Sequence, residues 1–240
     1  VAIKINSADL PIPGRQVWED LGMRHGYTNV TESRAGVVSK TYDGPDASAR
    51  CAIELRALTH LQGALPVPTL VSAGPGMLAT AYVAGAHGQD LIEQGRALDV
   101  LAGCGTILRH LHDLDPAILG AGPAEGGVIR HGDFGPNNLL FDLGTMAVTA
   151  VLDWEFSGIG QAIEDIAWCE WIVRMHHSHA VSAMPDFFDA YGSRPPWQER
   201  KAAMISRCRW LEAFCKRWDP SSIGAKQWQL RAKVTASWDS

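Results

Sequence analysis

The 240 residues are 46% hydrophobic and 20% charged, with 21 basic and 26 acidic side chains and a formal net charge of −5. That balance is the one of a globular chain and excludes a disordered one, and no apolar run approaches the roughly 20 residues of a membrane span. The five cysteines, Cys51, Cys104, Cys169, Cys208 and Cys215, form no Cys-x-x-Cys pair and the start carries no apolar leader segment, so reduced thiols and a cytoplasmic location are expected.

Taken in order, residues 1–83 read as a small β-rich lobe and 84–240 as a larger helical one, an α+β bilobal architecture with a cleft between. His25-Gly26-Tyr27-Thr28-Asn29-Val30-Thr31 reads as a turn ahead of a strand, and Gly36-Val37-Val38-Ser39 as a strand ending at Lys40. Gly44-Pro45-Asp46 is a stop followed by a helix N-cap. The helix behind it sets Ala52, Leu55, Leu58 and Leu61 on one face and brings Glu54 within reach of Lys40. Turn signals at Pro66-Val67-Pro68 and Gly74-Pro75-Gly76 flank a strand at Thr69 to Ser72. Met77 to Gly85 reads as the last strand of the lobe and a hinge. From Gln89 the chain turns helical, with Leu98, Leu101, Leu108 and Leu111 on the buried face of a helix from Ala97 to Leu111. A Gly- and Pro-rich connection, 113–127, then leads through Val128-Ile129-Arg130 to His131.

His131-Gly132-Asp133-Phe134-Gly135-Pro136-Asn137-Asn138 opens a loop followed by a hairpin, Leu139 to Phe141 and Met146 to Leu152, that ends on Asp153. Phosphoryl transfer from a nucleotide needs a carboxylate beside the attacking hydroxyl and oxygen ligands that hold magnesium on the phosphates. Asp133 can take the first role, with Asn138 and Asp153 as metal ligands. His-x-Asp with an Asn five residues after the Asp is the spacing of the kinase catalytic loop.

These residues, with Val151-Leu152-Asp153-Trp154-Glu155, Gly158-Ile159-Gly160 and Glu164-Asp165-Ile166-Ala167, resemble the aminoglycoside phosphotransferase and choline kinase group, small-molecule kinases with a protein-kinase-like fold. The resemblance implies His131 and Asp133 in the catalytic loop, Asp133 being the base, with magnesium on Asn138 and Asp153 and Asp165 bracing the loop from a helix start. It further implies ATP or GTP held by Gly26, Thr28 and Asn29 of a phosphate loop, by the Lys40–Glu54 ion pair and by backbone groups of Ala81 and Val83. Gly132 stands where protein kinases carry Arg, and Asp133-Phe134-Gly135 only spells their metal-binding triplet.

A helix is expected from Gln161 to Met175, carrying Trp168, Glu170 and Trp171, and two or three more to the end of the chain. From His131 to Ser193 the acids face a single base, Arg174. With Glu155 two residues past Asp153, this predicts a small cationic acceptor, met by Glu155 and Glu170 and by a cage of Trp168 and Trp171. The other reading of these tryptophans is core. Bases dominate from Arg194 onward but alternate with Trp210, Leu211, Phe214 and Trp218 at helical spacing, which argues for an amphipathic helix and against nucleic acid. No membrane partner is expected, and a monomer or dimer is. The reading from another class is a nucleotide-binding pseudokinase acting as an interaction module.

Overall fold

The computed structural model describes residues 29–120, 127–219, 221 and 223–240. Its first lobe is an antiparallel sheet of order β1-β2-β4-β3, formed by β1 (Asn29–Arg34), β2 (Val37–Tyr42), β3 (Leu70–Gly74) and β4 (Met77–Ala81). Ala35 and Gly36, both at positive φ (51° and 77°), make the two-residue turn whose twist matches a β1–β2 hairpin. Helix α1 (Ala47–His60) packs on this sheet. Its buried face is Cys51, Glu54, Ala57 and Leu58, leading to Leu61. Ala52 is exposed, one position out of phase with the expected stripe. Asp46 stands at the N-cap position but does not cap: at φ 58° it is left-handed and its carboxylate meets Arg217 at 2.8 Å instead.

The second lobe follows through β5 (Ala86–His87), α2 (Gly88–Glu93) and α3 (Ala97–Asp113). On α3 the buried residues include Val100, Leu101, Cys104, Leu108 and Leu111, whereas Leu98 is 59% exposed, contrary to expectation. Two small antiparallel sheets follow: β6 (Val128–Arg130) pairs with β9 (Gly158–Gly160), and β7 (Leu139–Phe141) pairs with β8 (Val148–Val151) and β5. Four helices complete the lobe: α4 (Ala162–His176), α5 (Met184–Tyr191), α6 (Trp197–Trp218) and α7 (Ile223–Ser237). Helix α4 starts where the Glu164 carboxylate accepts the Gln161 N–H at 2.9 Å. Helix α5 has Pro185 in its first turn and stops at left-handed Gly192.

Two apolar clusters hold this together. The larger spans both lobes, from Tyr42 and Leu58 to Phe187 and Tyr191. The smaller lies where α4 meets α6 and α7: Trp168, Trp171, Met204 and Cys208 with Trp228 against them. Trp168 and Trp171 stack at 4.3 Å, and such aromatic pairs add about 0.5–1.5 kcal/mol beyond their burial. All five cysteines are free. Among the described residues no helix is long and apolar enough to cross a membrane.

Candidate active site

The pairing of the small strands builds the site. The loop 131–138 joins β6 to β7, and the loop 152–157 joins β8 to β9. Because β6 pairs with β9 and β7 with β8, the same two ladders pin both loops, which therefore lie against each other. His131 ties them: its ring Nε2 donates to Leu152 O at 2.8 Å, its Nδ1 accepts the Asp133 N–H at 3.2 Å, and it packs on Trp154 at 4.6 Å. One donating and one accepting nitrogen is the neutral imidazole. Burial favours that form, lowering the pKa against the pull of Asp165.

Asp165, in the first turn of α4, accepts the N–H groups of His131 at 2.7 Å and Gly132 at 2.8 Å, with His112 Nε2 at 3.3 Å. Burial pushes the Asp165 carboxyl up, but the bonds from His112 and Gly132 hold it below the usual carboxylate range. Gly132 sits at φ 83°, and a Cβ there would collide with the Phe156 carbonyl. Any side chain at this position, an Arg included, would meet that contact.

The Asp133 carboxylate is held at both oxygens. Trp168 Nε1 donates to Oδ1 at 2.7 Å and Asn138 Nδ2 to Oδ2 at 3.0 Å. Burial raises its pKa to about 6 against the opposing charge of Arg207. The Asn138 amide also donates to the Asp133 carbonyl at 2.8 Å, so its own side-chain oxygen is the atom left to a cation.

Across the cleft, Lys40 Nζ bonds Glu54 at 2.6 Å and also bonds Asp153, whose backbone is left-handed at φ 65°. Burial would lower the Lys40 pKa; the carboxylates of Asp153, Glu54 and Glu155 instead hold it well above the ordinary lysine value, so it is an ammonium. Glu54, Asp153 and Glu155 lie close enough together to hold a metal, but the ammonium sits among them, 3.5 Å from Glu155. They form a nest for Lys40.

Several expected site residues stand elsewhere. His131 is fully buried and orients the loop without reaching the cleft, so it is a positioning residue. Glu155 is not at an acceptor mouth. It is 1% exposed and joins the lobes, accepting from Arg50 at 2.9 Å and Asn29 at 2.6 Å. Glu170 is equally buried, between Arg200 at 2.7 Å and Arg174 at 2.9 Å. Trp171 donates to Thr235 at 2.8 Å and stacks on Trp168, so the two rings are core and enclose no cage. Asn29 faces Glu155 and Arg50. The Ala81 N–H donates to Thr69 O at 2.8 Å, and Val83 follows in the segment between β4 and β5. Gly26 and Thr28 lie outside the described residues. The bond from Trp168 to Asp133 had a legible signal: Trp168 lies three residues after Asp165, on the same face of α4. Arg207 belongs to no motif and had none.

The phosphotransferase enzyme family matches residues 118–203, which contain both loops and the start of α4. No curated protein matches the chain. Among solved structures it is similar to aminoglycoside 2′-phosphotransferase-IIIa in its GDP complex, with TM-score 0.69 and 11% identity over 88% of this chain and 90% of that one. It is also similar to a choline/ethanolamine kinase family protein from Mesorhizobium loti, with TM-score 0.62 and 17% identity over 89% and 86% of the two chains. A third likeness is to APH(2″)-IIa in complex with gentamicin, with TM-score 0.64 and 14% identity over 91% and 95%. These likenesses bear out the expected bilobal fold, a small antiparallel lobe on a helical lobe.

Proposed function

We propose that this phosphotransferase moves the γ-phosphate of ATP or GTP to a hydroxyl of a small molecule, with Asp133 as the base. The observation that carries the reading is the meeting of Asp133 and Asn138 on one pinned loop with Asp153 on the other, facing the Lys40–Glu54 pair. Lys40 would release Asp153 to the metal and hold the nucleotide phosphates, and Glu54 would keep the ammonium in place. Asp133 would orient the acceptor hydroxyl and take its proton; a carboxyl with its pKa near 6 is ionised at neutral pH and more basic than an exposed one. The Asn138 carbonyl oxygen and the Asp153 carboxylate are hard oxygen donors that suit magnesium. When bound, the ion would neutralise charge on the phosphates. Residues 1–83 would hold the nucleotide, with Ala81 and Val83 at the adenine, and 84–240 the acceptor. One solved neighbour of similar fold, APH(2″)-IIa, binds gentamicin and streptomycin. For this chain the expected basis of amine recognition is weakened, since Glu155 and Glu170 are satisfied by arginines.

One experiment tests the reading. Asp133→Ala should lower turnover by about 10²–10⁴ while leaving nucleotide affinity near normal. Asp153→Asn should weaken nucleotide binding more with magnesium than without it. Near-normal turnover in the first variant, or equal effects with and without metal in the second, would remove those roles.

A further inference from the structure

Both fully buried arginines among the described residues are paired with carboxylates: Arg200 meets Glu170 at 2.7 Å, and Arg50, on α1, meets Glu155 at 2.9 Å. The half-buried Arg207 on α6 is not. Its Nε and Nη2 are sealed from solvent and have no hydrogen-bond partner among the described residues. The guanidinium is held flat by aromatic rings instead, its carbon 4.2 Å from the ring centre of Trp210, 5.2 Å from Phe156 and 5.7 Å from Trp168. Rings satisfy the faces of a guanidinium, but its N–H donors point outward in its plane and need acceptors. The sealed donors therefore call for an acceptor atom from outside the chain.

The position says which molecule supplies it. Asp133 Oδ2 is bonded by Asn138, on the side of the metal ligands, whereas Oδ1 is bonded by Trp168, the ring beside Arg207. Arg207 thus stands on the side of the base away from Lys40 and Asp153. Its charge and that of Asp133 act on each other: Asp133 supports the Arg207 charge against burial, which takes the pKa down to about 10, while Arg130 opposes it. Trp210, the ring nearest the guanidinium, is 41% exposed, so a shift of that one side chain would open the cage to solvent.

We propose that Arg207 is a subsite for an anionic oxygen group, carboxylate or phosphate, carried by the acceptor close to the hydroxyl that is phosphorylated. The assignment rests on the kinase reading, in that it takes Asp133 as the base facing the acceptor. It reverses the charge expected from the acid-rich sequence. The planar fork of the guanidinium suits bidentate binding of such a group.

The test titrates the full chain, saturated with magnesium and a non-hydrolysable ATP analogue, with glycerate, glycerol 3-phosphate, glycerol and choline by calorimetry. In the wild type one or both anions should bind at least about tenfold tighter than glycerol and choline, and which anion prevails identifies the group. Arg207→Met should abolish that preference, and Arg207→Lys should retain part of it, keeping the charge but not the fork. Both variants should bind the ATP analogue as the wild type does. The Met variant should melt no lower than the wild type, because an apolar side chain replaces an unsatisfied buried cation. Equal binding of anions and neutral or cationic alcohols by the wild type would overturn the proposal. So would an anion preference that survives Arg207→Met, or a loss confined to the ATP analogue, which would move Arg207 to the γ-phosphate. If the analogue itself does not bind the wild type, the kinase reading falls, and the anion titrations without it still decide for or against Arg207.

Discussion

His131 forms hydrogen bonds at both ring nitrogens, and that pair of bonds decides its protonation. A second proton would have to enter at Nδ1, where it would confront the Asp133 N–H, so the folded state favours the neutral ring and its pKa lies below the usual value. The unfolded chain takes up that proton near pH 6.5. His131 therefore contributes stability that is present above about pH 6.5 and is lost as pH falls toward the folded value. Nitrogen-15 spectra of the imidazoles should contain one ring protonated at Nε2 alone that stays neutral at a pH where the exposed rings are already doubly protonated, and that is lost in His131→Asn; the absence of any such late-titrating ring would contradict this. The sequence names His131 correctly as part of the loop and misjudges its work, because motif spacing fixes neighbours along the chain and says nothing of burial. The same holds for Glu155 and Glu170. Their charge is legible, but their arginine partners, Arg50 and Arg200, are 105 and 30 residues away.

Helices α3 and α5 touch through Gly105. A Cβ at that position would run into the Phe187 carbonyl and stand 2.9 Å from Ala190 Cβ, so the two helices pack closer than any side chain there would allow. Gly105→Ala gains helix propensity, about 1 kcal/mol, yet the steric conflict of an overfilled contact is about 1–3 kcal/mol, and backbone on the far side cannot yield as a flexible side chain would. We expect net destabilisation, read as a lower denaturation midpoint in urea; an unchanged or higher midpoint would mean the helices part at no cost. At this scale the sequence is legible where the period is long. The helices Ala47–His60, Ala97–Asp113 and Ala162–His176 were readable within a residue or two, but the apolar phase slipped at Ala52 and Leu98. Strand β9 was not readable as a strand. Gly158-Ile159-Gly160 has one side chain larger than hydrogen, and its order comes from pairing with β6.

The two lobes of the molecule are joined by charge as well as by chain. Glu155, from the second lobe, lies between Arg50 of α1 and Asn29 of β1 in the first, and close to Lys40. Glu155→Ala would leave the Arg50 guanidinium buried without its carboxylate, and breaking such a pair destabilises by about 3–5 kcal/mol. Thermal unfolding should shift down accordingly. The bilobal plan itself was legible, because the order Lys40, Glu54, Asp133, Asn138, Asp153 runs along the chain as it does in the resembling family. The ion pairs across the cleft were not legible, since nothing in local pattern relates Asn29 to Glu155.

Helix α6 begins in the second lobe and ends against the first. Trp218 lies so close over Gly44 that a Cβ there would be 2.6 Å from its ring, Phe214 lies 5.7 Å from the Arg50 guanidinium, and Arg217 meets Asp46. The exposed Arg217–Asp46 pair contributes little energy, but the ring contacts fix a place. Besides the segment between β4 and β5 and the ion pairs of Arg50 and Lys40, the tip of α6 is thus a further, separate tie of the first lobe to the second. As a second hinge keeps a door from twisting, a tie set apart from the others removes a direction in which the lobe can move. Trp218→Ala removes that tie; it should raise amide exchange in β1 and β2 while leaving the loop 131–138 protected, and unchanged exchange in those strands would mean the lobe is held by the other ties alone.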